Sequence, residues 1–378
     1  MGVYRRFNLQ TENGIYMRLN EDYIKPFADD LLCILDGQDY MNTLDFARTM
    51  MISQELKANN VIEGIKDDLS IIDEVIEQKD NLSETERKRI INLYHGYQYI
   101  LTHEQINKES LRELYRQLSD GLLDEYALKN MGEYYRTKPV YILKGNRIDV
   151  EPYEGFQAEK IDYNMNQLFD FIHSNDLEKS DIEKFIKSQI MHFYFVYIHP
   201  FFDVNGRTSR TTSMWYLLNN QEYPYIIFNR AISFNQRDYE ANIVKARAYG
   251  DVTLFIKYML QVVQMEIEKE YVIHSMKKNI NYELTKEDDQ LLEYILTMKG
   301  NITIKDIRYF YNNFNDKKNA KYILNKIQPL IDNHILVNKG QTKSFVAEGI
   351  PNVRLGVNNE LIDVDRTKIK YLKLDNYI

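Results

Sequence analysis

A mainly helical fold is predicted from three observations. Long stretches carry apolar residues at helical spacing, only seven prolines occur in 378 residues, and strand patterns are read at two short places. The expected layout is an N-terminal helical region over 1–125, a catalytic-type core with one β-hairpin over 126–275, a winged helix-turn-helix-like unit over 283–350, and a tail over 351–378.

The stretch 40–60 reads as helix, with Leu44, Phe46, Met50 and Met51 near helical spacing, and it stops at Glu63-Gly64 because glycine ends helices readily. Helical patterns follow at 71–77, 83–101 and 109–118. At 138–150 the pattern changes: Val140 and Ile142 alternate, Lys144-Gly145-Asn146 supplies turn chemistry, and Ile148 and Val150 alternate on the return. That is a hairpin signature. Helical periodicity resumes at 158–174, 180–198, 208–219 and 239–270. A new unit opens near Leu284, with Thr285 as N-cap and acidic residues in the first turn. Two short helices, around 304–311 and 320–333, lead into HILVNKGQTKSFVA, which reads as a wing turning at Lys339-Gly340. Residues beyond Pro351 are expected to be loosely structured.

Hydrophobic residues make up 44%, enough for a sizeable core, and the net charge of −8 excludes a whole-protein electrostatic grip on nucleic acid or an anionic membrane. One cysteine, Cys33, excludes an internal disulfide framework and a cysteine-rich zinc site, which fits a reducing cytoplasm. The N-terminal segment lacks the apolar run of a secretory signal, and Gly2 is not followed by Ser or Thr at position 6, which is Arg6. No apolar run reaches the length of a membrane span, so a soluble cytoplasmic protein is expected.

The chemistry concentrates in His199-Pro200-Phe201-Phe202-Asp203-Val204-Asn205-Gly206-Arg207-Thr208-Ser209-Arg210, between two helical patterns. A loop feeding a helix N-terminus presents N–H groups and a positive dipole to a polyphosphate. Asn205-Gly206 allows a tight turn that aims amides inward. Arg207 and Arg210 are spaced to hold different phosphates of one nucleotide. Asp203 is a hard oxygen ligand suited to phosphate-bound Mg²⁺. His199 can take a proton from a hydroxyl nucleophile near neutral pH. Singly, each has a plainer explanation: a hydrogen-bonding histidine, a capping aspartate, solvated arginines. Their order in twelve residues is what points to nucleotide chemistry.

The segment resembles the Fic signature, H-x-F-x-(D/E)-G-N-G-R-x-x-R, at every fixed position but one. The flanks resemble Fic as well, with His192 and Phe195 before it, Tyr239 and Gly250-Asp251 after it, and Tyr135-Arg136 leading into the hairpin; the likeness runs from about Tyr40 to Val263. It implies a helical Fic fold and a protein adenylyltransferase that moves AMP from ATP, with Mg²⁺, to a Ser, Thr or Tyr hydroxyl of a protein, its own chain included. His199 would then be the base, Phe201 a buried anchor and Asp203 the metal ligand. Asn205, Gly206 and Arg207 would cradle the α- and β-phosphates, Arg210 the γ-phosphate, and Tyr239 would line the adenine pocket. The hairpin would be the flap that pairs with the target segment. The departure is Val204, where the family has glycine. If the backbone there is left-handed, valine adds strain of about 1–3 kcal/mol.

Upstream, Asn59-Asn60-Val61-Ile62-Glu63-Gly64 resembles the family's inhibitory motif, (S/T)-x-x-x-E-(G/N), with Asn59 in place of Ser or Thr. The resemblance implies that Glu63 pairs with Arg210 and prevents productive ATP binding, that dimerisation modulates this brake in relatives, and that the same glutamate serves AMP removal in some of them. Three readings therefore compete: a braked AMP transferase, a catalytically weak or de-AMPylating Fic-fold protein, and a regulator that binds DNA through the winged unit. The last has only Lys317, Lys318, Lys321 and Lys326 as a basic cluster, where phosphate-backbone binding usually needs more. No Walker-type phosphate loop or His-Glu-x-x-His zinc motif is present.

Overall fold

Capping explains where the helices of the central body begin. In the computed structural model, which describes residues 3–35, 55, 58–59, 62, 83–142, 153–220, 228–233, 236–247, 249–297, 301–304, 306–307, 320–341 and 353–372, the chain is mostly helical. The predicted helix at 71–77, most of that at 40–60, and the loop of the predicted hairpin lie outside these residues.

Two strands come first, β1 (Tyr4–Gln10) and β2 (Tyr16–Asn20), antiparallel and joined by a turn with Gly14 at φ 76°. Phe7, Leu9, Met17 and Leu19 alternate along them and are all buried, as a period-two pattern requires of a half-buried hairpin. Helix α1 follows over Glu21–Leu35. Helix α2 (Glu84–Thr102) opens on a capping box in which Ser83 and Glu86 satisfy each other's backbone N–H. Helix α3 (Lys108–Ser119) opens on the equivalent Asn107–Ser110 pair, and α4 (Glu125–Asn130) on Asp124. Strands β3 (Tyr141–Ile142) and β4 (Tyr153–Glu154) pair antiparallel, with Ile142 opposite Tyr153. An antiparallel pair is thus present; the predicted return strand at Ile148–Val150 lies outside the described residues.

Helices α5 (Ala158–His173), α6 (Asp181–Ile198) and α7 (Asn205–Asn220) form the centre, α6 packing on both its neighbours and α7 also touching α2 and α3. Being enclosed, α6 and α7 are buried on nearly every face, so even the hydroxyl row Thr208, Ser209, Thr211, Thr212 and Ser213 is inside. Two of these hydroxyls are satisfied within the helix, Thr208 to the Val204 carbonyl and Thr212 to the Thr208 carbonyl.

The single helix expected over 239–270 is two. Helices α8 (Phe228–Ser233) and α9 (Gln236–Arg247) precede a break at Gly250, whose φ of 62° ends helical geometry, and α10 runs over Thr253–Asn279. The break is used: β2 lies alongside it, the Arg18 N–H donating to the Gly250 carbonyl and the Val252 N–H to the Arg18 carbonyl.

The chain divides into two compact units between Val263 and Gln264, within α10. The second contains α11 (Lys286–Thr297), opened by Thr285 and Asp288 as a capping pair, β5 (Asn301–Thr303), α12 (Ala320–Asp332), β6 (Leu336–Gln341) and β7 (Val353–Val357). Its sheet has the order β5-β7-β6. Two expectations are corrected here. Lys339-Gly340 lies inside β6 rather than in a wing turn, and the partner strand is β7, from the segment read as tail. That segment is anchored further on, because the buried Glu268 carboxylate accepts the backbone N–H groups of Lys370, Tyr371 and Leu372. Of the basic cluster, Lys326 is ion-paired to Glu287, while Lys317 and Lys318 lie outside the described residues. No described helix is long and apolar enough to cross a membrane.

Candidate active site

Helix α6 stops at His199, which takes the left-handed conformation (φ 54°, ψ 63°) with its N–H still bonded to the Phe195 carbonyl. Pro200 follows and cannot continue a helix. The turn therefore lifts the His199 ring off the helix, where it is half-buried with Nδ1 beside the Val196 carbonyl. Burial, and secondarily the positive charges of Arg136 and Arg247, hold its pKa down to about 3. It is neutral at physiological pH, the form in which an imidazole can accept a proton.

Phe201 anchors the loop as expected. It is fully buried and stacked on Tyr115 at 3.6 Å between centroids. Asn205 closes the loop behind it, accepting from the Phe201 N–H at 3.0 Å and donating Nδ2 to the Phe201 carbonyl at 2.9 Å. The side chain is therefore occupied by the loop. Asp203 is exposed, with Oδ1 accepting the Val204 N–H at 2.6 Å and Oδ2 left to other partners.

Val204 has φ 65°, the left-handed conformation whose cost to valine the sequence made conditional. It immediately precedes α7, in the position where Ser, Thr, Asp or Asn would accept a first-turn N–H. Valine offers no such oxygen, so its side chain does not cap the first turn of α7.

Arg207 and Arg210 are both buried on α7. Arg210 Nε donates to Asn59 Oδ1 at 2.7 Å, and Asn59 in turn approaches Thr211. Asn59 is helical and fully buried, and one turn earlier Glu55 accepts the N–H groups of Asn229 and Arg230 at the start of α8. Tyr97 completes this polar cluster, its hydroxyl facing Asn229 Nδ2 and its pKa raised by burial and by Glu55. Glu63, four positions beyond Asn59, lies outside the described residues.

Behind the arginines sits His192, entirely buried, with Nδ1 2.5 Å from Ser209 Oγ and Nε2 2.5 Å from the Tyr239 hydroxyl. Burial first and Arg210 second hold its pKa down to about 3, so this relay is neutral. Tyr239 is thus buried against His192, ring on ring. The structure brings His199, Asp203, Val204, Gly206, Arg207 and Arg210 onto one helix–loop–helix turn. The contacts of Asn59, Glu55 and Arg136 had no signal in local spacing, because each joins residues far apart in sequence.

Residues 105–217 match the family described as Fic/DOC. Over 243 residues the chain is 26% identical to a protein adenylyltransferase Fic of Nematostella vectensis, a match covering 62% of the chain and 52% of that protein. The chain thus spans about half the length of that curated relative. Among solved structures it is similar to a Fic family protein from Desulfovibrio desulfuricans G20 (TM-score 0.54, 18% identity, 89% of this chain and 95% of that one). It is also similar to Fic-1 of C. elegans (TM-score 0.50, 18% identity, 68% and 73%). These two likenesses concern the fold.

Proposed function

We propose that this chain, whose residues 105–217 match the Fic/DOC family, is a protein adenylyltransferase, moving AMP from ATP to a Ser, Thr or Tyr hydroxyl of a protein. The observation that carries the proposal is the single turn from α6 to α7, which sets a neutral imidazole, an exposed carboxylate, a helix N-terminus and two buried arginines together. His199 accepts the hydroxyl proton as the oxygen attacks the α-phosphorus and pyrophosphate leaves. The α7 N-terminus and Arg207 hold the α- and β-phosphates, and Arg210 holds the γ-phosphate. Tyr239, which the resemblance assigns to the adenine pocket, is buried against His192 and Phe255.

Asp203 fits Mg²⁺, because one exposed carboxylate with substrate phosphates and water completes the ligand set that this ion prefers. Bound there, the ion would neutralise phosphate charge. Among the described residues no group of three or more His, Cys, Asp or Glu forms an all-protein metal cage, which agrees with that arrangement.

The resting protein is braked in this proposal, Glu63 pairing with Arg210 and excluding the γ-phosphate. Asn59 supports this, since it comes from the same segment and already holds Arg210 Nε. A second reading, a catalytically weak Fic protein, draws on the left-handed Val204. Labelling by ATP carrying its label at the α-phosphate, with Mg²⁺, separates them. Glu63→Gly should increase transfer over wild type and His199→Ala should reduce it by roughly 10²–10⁴-fold. Absence of transfer in Glu63→Gly with any nucleotide removes the transferase; transfer restored only by Val204→Gly supports the weak enzyme.

A further inference from the structure

Arg136 is buried directly upstream of β3, at 2% exposure. Its Nε donates to the His199 carbonyl at 2.9 Å, Nη1 to the Lys138 carbonyl at 2.7 Å and Nη2 to the Phe156 carbonyl at 2.5 Å, and its backbone N–H donates to the Pro200 carbonyl at 3.0 Å. These acceptors lie on three stretches: the lead into β3, the exit from β4, and the loop that carries the base. A planar guanidinium fixes the directions of its donors, so the three carbonyls are held in one mutual arrangement; an ammonium on a flexible stem imposes no such geometry.

Gly155 supplies an independent observation. A Cβ at this position would stand 2.7 Å from Arg136 Nη2, 3.1 Å from His199 Cβ and 3.2 Å from Val140 Cγ1. The exit of β4 therefore lies directly against the catalytic histidine, with room for hydrogen only. The Phe156 N–H also bonds the Ile198 carbonyl, one residue before His199. Because His199 is left-handed, its carbonyl has left the α6 ladder, and Arg136 provides the donor that the helix does not.

We propose that Arg136 is a positioning residue that locks the β3–β4 hairpin and His199 into one unit, so that a target segment docked on the hairpin meets the base at a set distance. This rests on the transferase proposal. Docking and base alignment are then one event, and loosening the lock costs turnover without costing nucleotide binding.

Arg136→Lys and Gly155→Ala in the full chain test this by three measurements: ATP affinity by equilibrium dialysis, kcat of AMP transfer, and backbone hydrogen exchange. Both variants should keep the Kd for ATP within about twofold while kcat falls roughly 10–100-fold, since a displacement of about 1 Å is enough. The amides of Phe156 and His199 should exchange faster together, with those of α7 unchanged. The proposal is overturned by an unchanged kcat, by ATP affinity falling in step with kcat, or by exchange rising at the hairpin alone. A wild type and Glu63→Gly that transfer nothing would defeat the transferase reading separately. Exchange still decides the lock in that event: joint loosening of Phe156 and His199 keeps it, and independent loosening removes it. Should Arg136→Lys not fold, Gly155→Ala carries the same three measurements.

Discussion

Asn59 Oδ1 accepts a hydrogen bond from Arg210 Nε at 2.7 Å, with both side chains buried. The second arginine of the phosphate loop is thus held by a neutral residue in addition to any charge that reaches it. Asn59→Ala removes the acceptor and leaves a buried guanidinium N–H without it, at a cost of about 1–3 kcal/mol. Expected is a lower denaturation midpoint with higher α-phosphate transfer, as Arg210 is released. Lower transfer in Asn59→Ala would show that the contact positions the arginine for catalysis instead of restraining it.

Val204 pits backbone strain against packing. A left-handed conformation costs an L-residue roughly 1–2 kcal/mol, glycine escapes this, and glycine loses about 0.5–1 kcal/mol of chain entropy in exchange. Val204→Gly gives up one more buried carbon, Cβ, than Val204→Ala, but only the glycine relieves the strain. Val204→Gly should therefore match or exceed the stability of Val204→Ala, reversing the usual order of these residues within helices. Urea titration of the pair, with equal m-values, checks it; an alanine variant more stable by 1 kcal/mol or more, on the order of the entropy term, rejects it.

Two histidines make the protein sensitive to acid. His192 and His199 have folded pKa values down to about 3, against an unfolded value of about 6.5. Between these pH values the unfolded chain binds protons that the folded chain refuses. The stabilising effect of burying them neutral is complete above about pH 6.5 and declines as pH falls toward 3, by up to about 1.4 kcal/mol per pH unit for each ring. His192→Gln keeps hydrogen-bonding atoms for Ser209 and Tyr239 but does not titrate. Its thermal midpoint should fall less steeply than wild type from pH 6.5 to 4, and parallel curves would exclude His192 as a source.

Glu55 is a buried carboxylate bonded to two backbone N–H groups at the start of α8. Glu55→Ala leaves both amides without that acceptor and should cost about 2–4 kcal/mol, since hydrogen bonds to charged groups are worth about 1.5–3 kcal/mol. Calorimetry would register the loss; a midpoint within 1 °C of wild type, on the order of a neutral surface change, contradicts it.

Local chemistry was legible in the sequence wherever one residue decides an outcome within four positions. Ser83 and Thr285 opened their helices as read, and Phe201 went to the core beneath the loop. The N-terminal hairpin carries a clear alternation through Phe7, Leu9, Met17 and Leu19, yet its role is set by Gly250, far along the chain. The β4 register escaped because a two-residue ladder leaves no periodicity to detect. The wing was misplaced for a related reason: Lys339-Gly340 resembles a turn, but it forms an irregularity within β6, between Asn338 and Gln341, both of which pair with β7. At the site, residue types announced the chemistry, whereas Arg136 and Asn59 gain their roles from hydrogen-bond partners far away in the sequence.

The stitch between Arg18 and the Gly250–Val252 segment also sets a timetable for synthesis. The hairpin leaves the ribosome early, but the strand-like neighbour that completes it is made about 230 residues later, a delay of roughly 10–50 s at about 5–20 residues per second. A two-stranded hairpin alone is marginal in water. Phe7 waits first for Phe171 of α5, made about 160 residues after it, and the edge of β2 waits longer still for Gly250–Val252, so the hairpin's apolar face stays open on the nascent chain in the meantime.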